Sequence, residues 1–114
     1  MGIYEAISFL KKHPTLLEVC PHHCNGTVYY LSNSHKFEYK IRINNNLSID
    51  NRIKTLIHEC LHFSPEFRSY LGKALCYSHP VERKIDKLSD DIFNCQPILS
   101  KFLEDKIRFL EIKL

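Results

Sequence analysis

The spacing of apolar residues changes along this chain of 114 residues, and that change limits which folds it can adopt. Near the N-terminus, apolar side chains recur every three or four residues, as on one face of an α-helix: Ile3, Ala6, Ile7 and Leu10. Between residues 36 and 43 they alternate with polar side chains, which is typical of a half-buried strand. Helical spacing returns after residue 48. Both periods in one short chain predict a small single α+β domain covering residues 1–114.

The first half of the chain predicts two helices and a pair of strands. Lys11, Lys12 and Pro14 favour the end of the N-terminal helix, and residues 15–19 predict a second, short helix. Residues 27–31 are rich in β-forming types. Ser32-Asn33-Ser34 favours a turn before the alternating segment, so the two segments predict an antiparallel β-hairpin or small sheet.

The second half predicts helices. Ser48 or Asp50 can cap a helix whose apolar side consists of Ile53, Leu56, Ile57, Cys60 and Leu61. Residues 67–75 suggest a further helical stretch. Pro80 begins a helix that extends to about residue 93, and the last helix begins near Pro97 and continues to the C-terminus.

Charge and composition exclude several classes of protein. The net charge is only +3, and acidic side chains are interleaved with the 16 basic ones, so a nucleic-acid partner is not expected. No apolar segment approaches the roughly 20 residues of a membrane span, and the N-terminus does not resemble a signal peptide. Five cysteines, an odd number, favour reduced thiols over a disulfide framework. A cytoplasmic protein is the expectation.

The sequence His58-Glu59-Cys60-Leu61-His62 contains the motif H-E-x-x-H. Residues four apart on an α-helix project from the same face, so the two imidazoles can bind one zinc ion. Glu59 can then reach the metal-bound water, whose pKa zinc lowers toward about 7. The alternative is a pair of core histidines with an acidic partner. The neighbouring side chains are mostly apolar, and buried ionisable groups are costly unless paired or metal-bound, which favours zinc.

A zinc site of the protease type needs a third protein ligand and an open fourth position. Either His79 or Glu82 could complete the set, and Asp86 lies one helical turn after Glu82. Glu82 also has a purely structural interpretation. With His79 as N-cap and Pro80 at the first helical position, its carboxylate would satisfy free backbone amides.

Together, H-E-x-x-H and the later Glu82-x-x-x-Asp86 resemble the gluzincin tribe of metallopeptidases. In that tribe the later glutamate is the third ligand and the aspartate supports a ligating histidine. A chain this short resembles the minigluzincins in particular, which are minimal relatives of the catalytic domains of integral-membrane metallopeptidases. The resemblance covers roughly residues 37–93 and implies peptide-bond hydrolysis with one zinc ion.

The minigluzincin resemblance also implies a histidine as third ligand, and His79 is the position able to match it. The expected metal set is therefore His58, His62 and His79, with Glu59 as general base. Glu82 and Asp86 are expected to support the ligands, and Glu82 is the alternative third ligand. The resemblance further implies that the alternating strand of residues 36–43 is an edge strand that pairs with a peptide or protein substrate. The alternative, in which this strand is simply one wall of a small core, is compatible with that role.

The predicted C-terminal helix, residues 97–114, has an apolar stripe that consists of Leu99, Leu103, Ile107, Leu110 and Leu114. This is more apolar surface than one face against a small core requires. Minigluzincins are latent forms whose C-terminal segments obstruct the active site. We therefore expect this helix to mask the zinc, within the chain or across a homodimer; a simple core helix is the alternative.

A second candidate site is Cys20-Pro21-His22-His23-Cys24. It offers four possible zinc ligands, but they lie in one turn, and no second Cys/His pair follows at the spacing of a zinc finger. A turn, with a Cys20–Cys24 disulfide as one option, is favoured over a structural zinc site.

The leading prediction is a zinc endopeptidase or its latent precursor. Four side chains are unranked candidates for stabilising the oxyanion: Tyr70, Tyr77, His35 and Arg83. The alternatives are a non-catalytic, zinc-stabilised interaction module, and a DNA-associated metalloprotease of the SprT type, which also uses a third histidine.

Overall fold

A computed structural model describes residues 2–31, 36–71 and 78–109 of the chain. The described part contains four α-helices, a three-stranded sheet and one turn of 3-10 helix at Arg68–Tyr70. In chain order the helices and strands are α1 (Gly2–Lys12), β1 (Thr15–Cys20), β2 (Gly26–Tyr30), β3 (Tyr39–Asn44), α2 (Ile49–Leu61), α3 (Pro80–Cys95) and α4 (Pro97–Phe109). The prediction of a small α+β domain is confirmed.

Strand β1 replaces the short helix predicted for residues 15–19, and that prediction is wrong. The segment lies beside β3 in parallel register, with Leu17 opposite Ile41. Both of these side chains are buried. Five residues are too few to separate a helical period from an alternating one, and the pairing that decides it lies 24 residues further along the chain.

The sheet has the order β1-β3-β2, with β3 in the centre. The predicted hairpin is confirmed, because β2 pairs with β3 in antiparallel register from Gly26 opposite Ile43 to Tyr30 opposite Tyr39. However, β3 pairs on both sides, so the segment expected to be a free edge is the middle strand. A peptide that adds to the described sheet would have to pair with β1 or β2 instead.

Helix α2 lies in the middle of the core. It contacts the sheet and each of the other three helices. Its buried face packs Leu56 and Ile57 among apolar side chains from α1 and β3, including Ile3, Leu10 and Ile41. Ser48 caps its first turn, accepting a hydrogen bond from the Asn51 amide at 3.3 Å, as predicted.

Helix α4 packs against α2 and α3. The stripe residues Leu99, Leu103 and Ile107 are all buried in the chain's own core, which favours the core-helix alternative. Ile98 remains 87% exposed. The last two residues of the predicted stripe, Leu110 and Leu114, lie outside the described residues. None of the described helices is long and apolar enough to cross a membrane.

The helical stretch expected at residues 67–75 is described only at its start. Arg68–Tyr70 forms a single turn of 3-10 helix, and Leu71 is already extended, with φ −60° and ψ 138°. Residues 72–77 of that prediction lie outside the described residues. The chain is described again from residue 78, just before α3.

Gly26 allows β2 to lie directly against α2. A Cβ at this position would be 2.6 Å from Thr55 Cγ2 and 3.0 Å from the Arg42 carbonyl oxygen. It would also lie 3.4 Å from Cγ of Glu59, so this contact sits beside the H-E-x-x-H motif. The absence of a side chain at Gly26 therefore sets the distance between β2 and the helix that bears the motif.

We expect Gly26→Ala to destabilise the protein by about 1–3 kcal/mol, because the added methyl group overpacks the contact with Thr55. Urea unfolding followed by circular dichroism measures the loss. Adding Thr55→Ser removes the methyl group that the new Cβ would meet, so the double variant should recover part of the lost stability. A Gly26→Ala protein as stable as the wild type would mean that β2 does not lie this close to α2.

Candidate metal centre

The two histidines of the motif lie on the same face of α2. The helix ends at Leu61, but the capping residue His62 still has helical dihedral angles, φ −59° and ψ −22°. Its imidazole therefore stays one turn beyond that of His58, with the ring centroids 5.1 Å apart. Both side chains are mostly buried, at 13% exposure.

Glu82, from the first turn of α3, faces both imidazoles. Its Oε2 lies 2.8 Å from His58 Nε2, and its Oε1 lies 3.2 Å from His62 Nε2. Donor atoms around a tetrahedral zinc ion are separated by about 3.3 Å, so these distances need only small side-chain movements to admit an ion. Two imidazole nitrogens and a carboxylate form the His₂Glu donor set of several zinc peptidases. The residues present therefore fit the metal.

Asp86 lies one turn further along α3 and contacts the other nitrogen of His58. Its Oδ1 is 2.7 Å from His58 Nδ1. A carboxylate in this place accepts the Nδ1–H hydrogen bond and orients the ring, leaving Nε2 for a metal. This is the supporting role expected for Asp86 from the sequence.

His79, the preferred third ligand, lies elsewhere. It is the N-cap of α3, and its Nδ1 accepts a hydrogen bond from the Val81 amide at 3.1 Å. Pro80 occupies the first helical position, and Glu82 follows on the side of α3 that meets α2. Within the described residues, His79 belongs to no group of potential metal ligands. The structure favours Glu82 over His79.

The charges at this site shift one another's pKa values. Hydrogen bonds from His58 and His62 hold the pKa of Glu82 at about 2, despite partial burial. Burial alone would lower the pKa of His58, but the nearby carboxylates of Glu82, Glu59 and Asp86 outweigh it and raise that pKa above its ordinary value. A metal ion would replace the protons that the imidazoles share with Glu82.

Glu59 is buried, at 6% exposure, beside the two histidines. Burial raises the pKa of its carboxyl group, while the neighbouring imidazoles oppose that rise. It lines the same cleft as His58, His62 and Glu82, a space of about 940 Å³. A carboxyl group with a raised pKa, next to a metal set but not part of it, is suited to general acid–base work.

The cleft lies between β2 on one side and α2 and α3 on the other. Gly26 and Val28 line it from the strand, and Tyr70 and Leu71 line it from the segment after α2. Of the two oxyanion candidates that the structure describes, Tyr70 and Arg83, Tyr70 lies at the cleft. Arg83 is not among the described lining residues, and His35 and Tyr77 lie outside the described part of the chain.

No described residue of α4 lines the cleft. The expectation that the C-terminal helix masks the metal site within the chain is therefore not met for residues 97–109. Residues 110–114 lie outside the described part. A homodimer through the exposed side of α4, at Ile98 and Phe102, stays a prediction.

The segment between β1 and β2 forms a second group of potential ligands. Cys20 and Cys24 are free thiols, so the optional disulfide is wrong. His22, His23 and Cys24 bring ligand atoms within 4.8 Å of one another. The sequence favoured a turn here over a structural zinc site, because no second Cys/His pair follows, and the chain does bend at residues 23–25.

A comparison with known proteins found no family model, no curated protein and no solved structure that matches the chain.

We expect Glu82→Ala to lose its zinc on dialysis and His79→Ala to retain it. The first variant removes a donor atom, whereas the second removes an N-cap and costs only about 0.5–2 kcal/mol of stability. Metal analysis of both purified proteins measures the difference, with circular dichroism as the check on folding. Zinc that survives in Glu82→Ala but is lost from His79→Ala would reverse the choice of ligand.

The metal-free protein should be most stable at about pH 5. Glu82, with its lowered pKa, stabilises the fold above its ordinary value of 4.5, and this is lost as pH falls toward 2. His58 and Glu59 have raised pKa values, so their contributions are present at low pH and are lost as pH rises through the folded values. In the presence of a chelator, the melting temperature should therefore fall both below and above about pH 5.

Glu82→Gln provides the control for that pH dependence, since it should remove the part of the acid-side loss that comes from Glu82. With zinc present the alkaline decline should be reversed, because metal binding requires neutral imidazoles. A melting temperature in chelator that stays flat from about pH 6 to 9 would contradict the shifts assigned to His58 and Glu59.

Proposed function

We propose that this protein is a zinc-dependent metallopeptidase of the gluzincin type, in which His58, His62 and Glu82 hold one zinc ion. The observation that supports this most directly is the Glu82 carboxylate, which contacts Nε2 of both histidines at 2.8 and 3.2 Å beside a buried Glu59. A purely structural zinc site has no need of a carboxylate in the position of Glu59.

When bound, zinc would supply a Lewis acid that polarises the scissile carbonyl and lowers the pKa of water. Asp86 would keep His58 in the tautomer whose Nε2 is free to bind. The mostly buried imidazoles would hold the ion at the inner wall of the cleft. This arrangement leaves the open side of the site to the substrate.

Glu59 would act as the general base. Its carboxylate would accept a proton from the attacking water and then deliver it to the nitrogen of the leaving amine. Because burial raises the pKa of its carboxyl group, Glu59 is a stronger base than an exposed glutamate. Tyr70, at the same cleft, is the described candidate for donating a hydrogen bond to the developing oxyanion.

The substrate would be an extended peptide segment. Strand β2 lines the cleft and lies at an edge of the described sheet, so its outward backbone groups can pair with a substrate strand. This role, assigned from the sequence to residues 36–43, passes to β2 because β3 is already paired on both sides. The volume of about 940 Å³ has room for several peptide residues.

One feature supports this proposal over the SprT-type alternative, and another supports the proposed location. A protease of the SprT type would use a third histidine, whereas Glu82 is the side chain that meets both imidazoles here. A cytoplasmic setting agrees with the free thiols of the described cysteines, Cys20, Cys24, Cys60 and Cys95. Latency through residues 110–114 or through a homodimer stays part of the proposal.

Glu59→Gln should lower the rate of peptide cleavage by about 10²–10⁴-fold while zinc content stays unchanged, because the variant keeps the shape of the side chain but not its basicity. Hydrolysis of a quenched peptide library by the zinc-loaded protein measures this. Glu66→Gln is the matched control: Glu66 is exposed, pairs with Lys84, and lies outside the cleft lining.

Equal rates for Glu59→Gln and the wild type would remove Glu59 from the mechanism. A wild-type protein that binds zinc at His58, His62 and Glu82 but cleaves no member of the library would favour the zinc-stabilised interaction module.

A further inference from the structure

The rim cluster, which consists of His22, His23 and Cys24, connects β1 to β2 at the edge of the cleft. We propose that it binds a second zinc ion, separate from the one held by α2 and α3. The cluster needs no catalytic activity for this role, so the proposal does not depend on the peptidase function.

The geometry of the rim cluster is the first support. Its three ligand atoms lie within 4.8 Å of one another, and the two imidazole centroids are 4.5 Å apart with the rings tilted by 60°. Around a tetrahedral zinc ion, nitrogen and sulfur donors are about 3.4–3.6 Å apart. Side-chain movements of about 1 Å would therefore bring all three donors to one ion.

Contacts to β2 position two of the three side chains. His22 Nε2 lies 3.2 Å from Thr27 Oγ1, which can orient the ring while the other ring nitrogen binds the ion. In the metal-free protein the Cys24 thiol donates to the Gly26 carbonyl oxygen at 3.5 Å, a contact that zinc binding would end because a thiolate has no proton to donate. Gly26 and Thr27 are the first two residues of β2, so these contacts connect the rim cluster to that strand.

The unequal exposure of the three side chains gives an ion access to the rim cluster from solvent. His22 and Cys24 are half-buried, whereas His23 is exposed. An ion can therefore arrive from solvent, meet His23 first, and be enclosed by the other two donors. The fourth position stays open to water, since the cluster supplies three protein ligands.

The donor atoms of the rim cluster differ from those of the first site, which consists of His58, His62 and Glu82. Two imidazoles and a thiolate favour zinc over magnesium or calcium, whose ligands are oxygens. On binding, the Cys24 thiol loses its proton to solvent and the sulfur forms the bond to zinc. The first site has no sulfur donor, and this difference makes the two ions distinguishable by spectroscopy.

Cobalt titration of the full-length protein tests the proposal, under a reductant that contains no thiol. Cobalt bound to a thiolate gives a charge-transfer band in the near ultraviolet, and the His₂Glu site cannot produce one. We expect the band in the wild type and its loss in Cys24→Ser. Cys20→Ser is the matched control and should keep the band, because Cys20 is the last residue of β1 and lies outside the rim cluster.

Zinc content gives an independent readout. The wild type should hold about two zinc ions per chain and Cys24→Ser about one. His22→Ala should weaken zinc at the rim by more than the 10–100-fold typical of losing an outer partner. Glu82→Ala should lose the first ion yet keep the cobalt band, which separates failure of this proposal from failure of the peptidase assignment.

Circular dichroism of each variant confirms that it is folded. Absence of the band in the wild type would overturn the rim site, and so would a band that persists in folded Cys24→Ser. Loss of the band in Cys20→Ser, with Cys24 intact, would equally count against it.

Discussion

A single carboxylate joins the two helices on which the site depends. Glu82 reaches from the first turn of α3 to both imidazoles at the end of α2. Asp86 adds a second polar contact between these helices, to Nδ1 of His58. Without an ion, hydrogen bonds from the two imidazoles satisfy the partly buried carboxylate of Glu82. The same side chains would serve a metal with little rearrangement, so folding prepares the site before any ion arrives.

The sequence predicted the parts of this arrangement that depend on local spacing. The four-residue spacing of His58 and His62 places both rings on one face of α2, and Ser48 and Pro80 mark where α2 and α3 begin. The alternating segment that became β3 was equally clear. These features need only a few neighbouring residues, so local pattern is sufficient to find them.

What the sequence could not decide depends on contacts between distant segments. The strand character of β1 follows from its parallel partner β3, and no local pattern reveals that pairing. The choice between His79 and Glu82 depends on which side of α3 meets α2, since both residues stand in its first turn.

Helix α4 contributes buried side chains to the core, so the stability of the fold depends on it. Leu99, Leu103 and Ile107 are buried beneath the rest of the fold, and burying each such side chain is worth about 1.5–3 kcal/mol. Cutting the chain before Pro97 would thus forfeit much of the roughly 5–15 kcal/mol that holds a small domain together. Helix α4 is therefore not a segment that proteolytic cleavage could remove from a folded protein.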